Sequence, residues 1–230
     1  MTRWGPNNVI NVMDTCQVSV NTFDRLAQTY AQKYLALDTY DAYYREFCSH
    51  VTRQGASVLD VACGPGNVSA FLVRERPDLH VLGIDLAPNM VRLAQTHVPS
   101  ASFLVHDGRQ LADLGQVFDG IAYAFGLNYL RQEEAEQFFE SLGKVLAPNG
   151  ALYLSTMLGP RERSGLQISS SGDQIYVYYR PRQEIEQWVQ RVGLKLVFLD
   201  EIASPASASN TTIDVVLVAQ RIGTVEPAAA

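Results

Sequence analysis

The sequence predicts an α/β fold built on a largely parallel sheet. Three observations carry that expectation. Short apolar runs alternate with helical patterns from about residue 55 onward. The stretch Val58-Leu59-Asp60-Val61-Ala62-Cys63-Gly64-Pro65-Gly66 reads as a strand, a tight turn and a helix start. Its Gly64 and Gly66 allow backbone dihedrals and close approaches that a side chain forbids. Roughly 20 residues later, Val81-Leu82-Gly83-Ile84-Asp85 reads as a second apolar strand ending in an acid.

In chain order, residues 1–22 are mixed and turn-rich, and read as an N-terminal arm or flexible tail, with Asn21 or Thr22 capping a helix near Phe23. Residues 23–51 read as a helical cover with one break around Leu37-Asp38-Thr39. Phe23, Leu26, Ala27, Tyr30 and Tyr34 share one face there. Strands follow at 56–62, 80–85 and 101–105, a fourth opens at Asp119 and exits sharply at Gly126, and a fifth spans 151–157, with helices at 66–76, 90–96 and 133–146. Pro148-Asn149-Gly150 marks the turn into the fifth strand. Residues 158–181 read as a cap insertion, in which 159–165 and 169–173 are polar turns and 174–180 is a strand. Its Tyr176 and Tyr178 face one side, opposite Ile175, Val177 and Tyr179. A helix from Arg182 precedes two late strands, 194–199 and 212–219, joined without a helix and therefore antiparallel. Residues 23–222 thus form a single domain, and the tail 223–230 reads as disordered.

The two strand ends suit an adenosyl ligand, with the glycine turn under one end and the Asp85 carboxylate on the ribose diol. Asp60 sits beside the turn, where it would repel a pyrophosphate but suits an ammonium group. A third glycine, normal for a dinucleotide site, is replaced by Ser69. S-adenosylmethionine carries a sulfonium, an ammonium and no phosphate, which makes a nicotinamide oxidoreductase the weaker reading.

The segments DVACGPG and GIDLAPNMVRLA resemble the first two motifs of the class I S-adenosylmethionine-dependent methyltransferases, and the resemblance covers about residues 55–157. It implies a Rossmann-like, seven-stranded methyltransferase sheet with a terminal antiparallel hairpin. It also implies that Asp60, Ala62, Gly64 and Gly66 hold the amino-acid end of the cofactor and Asp85 the ribose. Leu86 and Met90 would wall the adenine, and Asp107, with Gly108 beside it, would accept from the adenine amino group. Helices ahead of the first strand commonly cover the cofactor in this family, which gives Tyr30 and Tyr34 a place at the acceptor. The family's transfer region lies at Phe125, Asn128 and Tyr129. The Asn/Asp-Pro-Pro-Tyr segment of members that methylate base amino groups is absent.

Eight of the eleven tyrosines fall in the helical cover and the cap strand. The expected acceptor site is accordingly a tyrosine-rich pocket formed by Tyr30, Tyr34, Asn128, Tyr129, Tyr176 and Tyr178. A homodimer interface is the rival use of the same residues. The expected activity is methyl transfer to a small-molecule acceptor; the alternatives are a protein or RNA methyltransferase and a noncatalytic cofactor-binding protein. No residue stands out as a catalytic base.

The formal charge of -6 and pI near 5.2 argue against a nucleic-acid groove. No apolar run reaches the roughly 18–20 residues of a membrane span. The opening Met-Thr-Arg-Trp-Gly-Pro-Asn-Asn has no apolar segment of signal-peptide type. Three cysteines and four histidines at no ligand spacing give no metal site and suit a reducing, cytoplasmic setting.

Overall fold

The computed structural model describes residues 14–205 and 212–221. The expectations for the first residues of the arm and for the tail 223–230 fall outside these residues. Strand-to-helix alternation begins at β1 (Ser57–Val61) and continues through α4 (Asn67–Glu75), β2 (His80–Asp85), α5 (Pro88–His97) and β3 (Ser102–Val105). A 3₁₀ turn at Gly108–Leu114 leads to β4 (Phe118–Ala124), and a second at Leu127–Tyr129 leads to α6 (Gln132–Val145) and β5 (Leu146–Leu158). Beyond the cap come α7 (Arg182–Arg191), β8 (Leu194–Ala203) and β9 (Ile213–Arg221). The seven strands form one sheet in the order β3-β2-β1-β4-β5-β9-β8. β9 runs antiparallel to both of its neighbours, β5 and β8, and the other six strands run in one direction.

Period-two alternation explains the two helical layers. On one face Leu59, Ile121, Leu152, Leu154, Val215 and Leu217 pack with Phe138, Phe139 and Trp188 of α6 and α7. On the other, Val58, Ala122, Tyr153, Val216 and Val218 pack with Phe47 of α3 (Asp41–His50) and with Phe71 and Leu72 of α4. At the N-terminal strand ends, Asp119 accepts from Arg53 and from the Ser57 amide, the latter at 2.8 Å. It therefore serves the sheet, as its position far from the glycine turn implies. Pro148-Asn149-Gly150 lies inside β5, where the register jumps from Phe118↔Leu146 to Gly120↔Ala151 and Asn149 takes φ of 61°.

The N-terminal region departs from the sequence reading. A helix, α1, already spans Thr15–Arg25, and Asp14, not Asn21 or Thr22, caps it by accepting from the Gln17 amide at 3.1 Å. Thr22 lies inside α1 because its hydroxyl has a use there: it donates to the Gln174 carbonyl at 2.7 Å, while Ser19 Oγ accepts from the Tyr176 amide at 2.9 Å. The cover is interrupted twice, at Leu26 and between α2 (Ala27–Tyr34) and α3, where one break was expected.

The cap is also richer than its sequence suggests. Between β5 and α7, a 3₁₀ turn at Arg161–Arg163 precedes β6 (Gly165–Ile168), which pairs antiparallel with β7 (Gln174–Val177). The expected strand through residue 180 ends at Val177, because the Tyr178 amide turns away to the Asn128 carbonyl at 2.7 Å. Among the described residues no helix is long and apolar enough to cross a membrane.

The interior leaves little slack at Gly83 in β2. A Cβ there would lie 2.4 Å from Phe103 Cδ1 and 3.1 Å from Cys63 Sγ. Gly83→Ala should destabilise the fold by about 1–3 kcal/mol through overpacking. Denaturant unfolding measures this, and an unchanged midpoint would contradict the packing described.

Candidate active site

Strand β1 hands the chain to α4 through a turn in which Ala62, Gly64 and Gly66 have φ of 53°, 53° and 94°. All three lie in the left-handed region, which is costly for Ala62 and easy for glycine. A Cβ on Gly66 would press at 3.3 Å on the Ala94 backbone of α5, whereas one on Gly64 would project into open space. Gly66 therefore serves packing, and Gly64 faces a cavity.

Three carboxylates stand at successive strand ends around this turn. Asp85 accepts from the Gly64 amide at 2.9 Å through Oδ2 and from the Ala87 amide at 2.8 Å through Oδ1. Burial raises its pKa above the ordinary carboxylate range, opposed by those amide bonds. Asp60 is fully enclosed. Its Oδ2 accepts from Ser69 N at 3.0 Å and Ser69 Oγ at 2.6 Å, while Oδ1 is buried with no protein partner. Burial pushes Asp60 up to about 7, with the Ser69 bonds pulling the other way. Ser69, at the position of the missing third glycine, is thus the group that holds this carboxylate. Asp107 accepts from the Arg109 amide at 2.9 Å and from the Arg109 guanidinium at 2.8 Å. Arg109 reaches on to Glu134 at the start of α6, at 2.7 Å, and to Asp14 at 3.2 Å.

Two cavities open over these strand ends, of about 130 and 300 Å³. Asp85, Leu86, Met90, Asp107 and Gly108 line the first. Ala62, Gly64, Ala124, Phe125, Tyr30 and Tyr129 line both and form the passage between them. The second cavity extends past Tyr34, Tyr40 and Tyr44 to Met157 on β5 and to Thr212 and Asp214 at β9. The donor and acceptor set fits S-adenosylmethionine. An orphaned buried carboxylate oxygen beside the glycine turn suits an ammonium, and Asp85 keeps lone pairs for a diol.

Of the expected cofactor residues, Ala62, Gly64, Asp85, Leu86, Met90, Asp107, Gly108 and Phe125 meet at the first cavity, while Asp60 and Gly66 line neither cavity. Of the expected acceptor residues, Tyr30, Tyr34 and Tyr129 line cavities. Tyr30 lies against Tyr34 with ring centroids 4.6 Å apart, and Tyr129 packs on Phe23 at 4.9 Å.

Asn128, Tyr176 and Tyr178 line neither cavity, which corrects the inward placement expected of the cap tyrosines. Asn128 is buried, and its amide accepts from Met157 N and Thr156 Oγ1 and donates to the carbonyls of Met157 and Tyr178. It brackets the turn after β4 to β5 and the cap. The Tyr178 and Thr15 hydroxyls share a hydrogen bond of 2.8 Å, and the Tyr176 backbone is held by Ser19.

The sequence reading missed Cys16, Val20 and Phe23, which roof the first cavity from α1. A signal was present, since 16, 20, 23 and 27 follow helical spacing. Burial pushes the Cys16 thiol up to about 12, so it stays protonated at neutral pH. Tyr40 and Asp214 were missed as well, and nothing local in the sequence joins them. Among the described residues no cluster could hold a metal ion.

Residues 58–150 match the model of a family described as a methyltransferase domain. The chain is 28% identical over 136 residues to a demethylmenaquinone methyltransferase of Thermotoga maritima, covering 59% of this chain and 54% of that one. It is 29% identical over 162 residues to a ubiquinone biosynthesis O-methyltransferase of Xylella fastidiosa, covering 64% and 63%. The chain thus spans between about half and two thirds of the length of these relatives. A solved S-adenosylmethionine-dependent methyltransferase from Clostridium acetobutylicum superposes with a TM-score of 0.68 at 14% identity, covering 88% of this chain and 99% of that one. One from Methanosarcina mazei gives 0.66 at 19% identity, covering 77% and 97%. Both share the fold.

Asp60 makes a pH-dependent prediction. Its pKa rises on folding from 3.8 to about 7. Its contribution to stability is therefore complete below 3.8 and is lost as pH rises through about 7. Asp60→Asn removes that liability, so the ligand-free variant should exceed wild type in stability by about 2–4 kcal/mol at pH 8. The gap should close toward pH 4. Unfolding curves of both proteins at the two pH values measure it, and a gap that does not narrow on acidification would refute the assignment.

Proposed function

We propose that this chain, a member of the class I S-adenosylmethionine-dependent methyltransferase family, transfers a methyl group to an aromatic small molecule bearing a hydroxyl. The observation that carries the reading is the pair of cavities meeting at Gly64, Phe125 and Tyr129. Asp85 binds the ribose diol in the first, Leu86 and Met90 flank the adenine, and Asp107 lies at its edge. Asp60 Oδ1, unpartnered in the protein, receives the ammonium. When bound, the cofactor supplies a sulfonium methyl electrophilic enough that no protein nucleophile is needed.

The chain's own residues then orient the acceptor and exclude water. Phe125 and Tyr129 form the passage through which the acceptor reaches the methyl, and Tyr30 and Tyr34 close it from above. The rings of Tyr34, Tyr40, Tyr44 and Phe71 make the second cavity a slot for a flat apolar body. Support for an oxygen acceptor comes from the Xylella fastidiosa relative, named an O-methyltransferase of ubiquinone biosynthesis, and support for a quinone-like ring from both relatives' names. The net charge of -6 supports a small acceptor over a nucleic acid.

Asp85→Ala should weaken S-adenosylmethionine binding by about 2–4 kcal/mol, since two charge-assisted hydrogen bonds are lost. Calorimetry on folded protein measures it, with the spectrum of the variant checked against wild type. Transfer is tested with methyl-labelled cofactor against catechols, naphthols, amines and carboxylates. Label appearing only on amines, carboxylates or protein would overturn the acceptor class, and undiminished affinity of the Asp85 variant would overturn the cofactor pose.

A further inference from the structure

The second cavity has a polar end that the cofactor does not account for. Asp214, at the start of β9, pairs across the ladder with Met157 at the C-terminal end of β5. In the sheet order β5 and β9 lie on the side away from β2 and β3, whose ends carry Asp85 and Asp107. Tyr40, the cap residue of α3, donates from its hydroxyl to Asp214 Oδ2 at 2.7 Å, and Thr212 Oγ1 donates to Asp214 Oδ1 at 3.0 Å. Tyr40 is 5% exposed and Asp214 1%, yet both line the cavity. The Tyr40 ring stands edge-on to Phe125, with centroids 5.1 Å apart. The hydroxyl–carboxylate pair therefore sits one ring away from the passage to the cofactor.

We propose that Tyr40 and Asp214 form the proton-accepting pair for the methyl acceptor, with Tyr40 touching the acceptor hydroxyl and Asp214 holding the proton behind it. This rests on the methyltransferase reading above. The acceptor O–H bond breaks with its electron pair left on oxygen, and its proton goes to Tyr40 Oη. The original Tyr40 proton moves to Asp214 Oδ2, so one carboxylate is neutralised as one aryl oxyanion forms.

The surroundings favour that exchange. Burial raises the Asp214 carboxyl above its ordinary range, which makes it a better proton acceptor, while its bonds from Tyr40 and Thr212 act against that rise. The groups facing the pair are mainly neutral phenols: Tyr30 from α2, Tyr44 from α3 and Tyr153 from β5. Of the nearby carboxylates, Asp41 of α3 is paired with Arg74 of α4, and Asp200 of β8 accepts from the Tyr43 hydroxyl. Among the described residues no cation pairs with Asp214. A tie between cover and sheet would need only a hydrogen bond. This one places an ionisable carboxylate behind a phenol at the end of an aromatic slot.

The test uses 4-nitrocatechol, whose phenolate absorbs visibly to the red of the phenol, added to the full chain saturated with S-adenosylhomocysteine. At one pH unit below the probe's own ionisation in water, wild type should bind it as the phenolate. Tyr40→Phe and Asp214→Asn should bind it mainly in the neutral form, with at least a tenfold loss in the bound phenolate-to-phenol ratio. Tyr43→Phe, which removes a similar hydroxyl–carboxylate tie, to Asp200 of β8, at a residue lining neither cavity, should retain the phenolate signal. Affinity for S-adenosylhomocysteine should stay within twofold in all three variants.

If wild type fails to bind S-adenosylhomocysteine, the underlying methyltransferase reading falls. If it binds that ligand but leaves the probe neutral or unbound, only the proton-accepting pair is overturned. Equal ionisation by wild type, Tyr40→Phe and Asp214→Asn would likewise reduce the pair to a structural tie. Should Tyr40→Phe be poorly folded, the isosteric Asp214→Asn decides the outcome.

Discussion

Everything at the site depends on how the chain leaves β1. Three residues of the five from Ala62 to Gly66 sit at positive φ, and such a turn holds only if its surroundings over-determine it. Two carboxylates do so from either side. Asp60 grips the first turn of α4 through Ser69, and Asp85 grips the turn itself through the Gly64 amide. Each thereby has a structural task before any ligand arrives, and each keeps acceptor capacity in reserve. In Asp60 the two tasks fall to different atoms, since Oδ2 holds Ser69 and Oδ1 stays without a protein partner. Placing acceptors without donors in a buried setting costs stability, a feature expected of a site prepared for a cationic ligand.

The sheet was legible because its signals are local. Apolar runs bounded by Gly and Pro, an acid at a strand end and two strands without a helix between them gave order and direction without tertiary information. Asp85 and Gly64 were legible for the same reason. The N-terminal helix was not, since Thr15, Ser19 and Thr22 read as turn formers. Ser19 and Thr22 meet the backbone edge of β7, whose exposed amide and carbonyl need hydroxyl partners, and Thr15 one turn earlier meets the Tyr178 hydroxyl. A polar stripe facing a strand edge looks like a solvated face when read alone. The cap tyrosines failed differently: Tyr178 lies past the end of β7, and alternation cannot say whether a strand face meets a ligand or a helix.

That contact makes cover and cap one roof. α1 contributes Cys16, Val20 and Phe23 to the first cavity, while its hydroxyl stripe holds β7 and Arg25 pairs with Asp173 in the hairpin turn. At its other end Asp14 meets Arg109, which also holds Asp107 and Glu134. The exposed pairs are weak and screened by salt, so the hydroxyl–backbone bonds and the apolar contacts carry most of the attachment.

The tie between Tyr40 and Asp214 spans 174 positions of the chain, from just ahead of the third helix to the last strand. During synthesis, residues 1–205 emerge before β9 can enter between β5 and β8. Until then the edge of β5 lacks its partner, β8 has no neighbour in the sheet, and the larger cavity has no far wall. A nascent chain could already form the glycine turn and the first carboxylates, since those contacts close within about 25 residues of sequence. It could not close the far end of the larger cavity. The two cavities are therefore completed at different times, and the larger is the last to be closed.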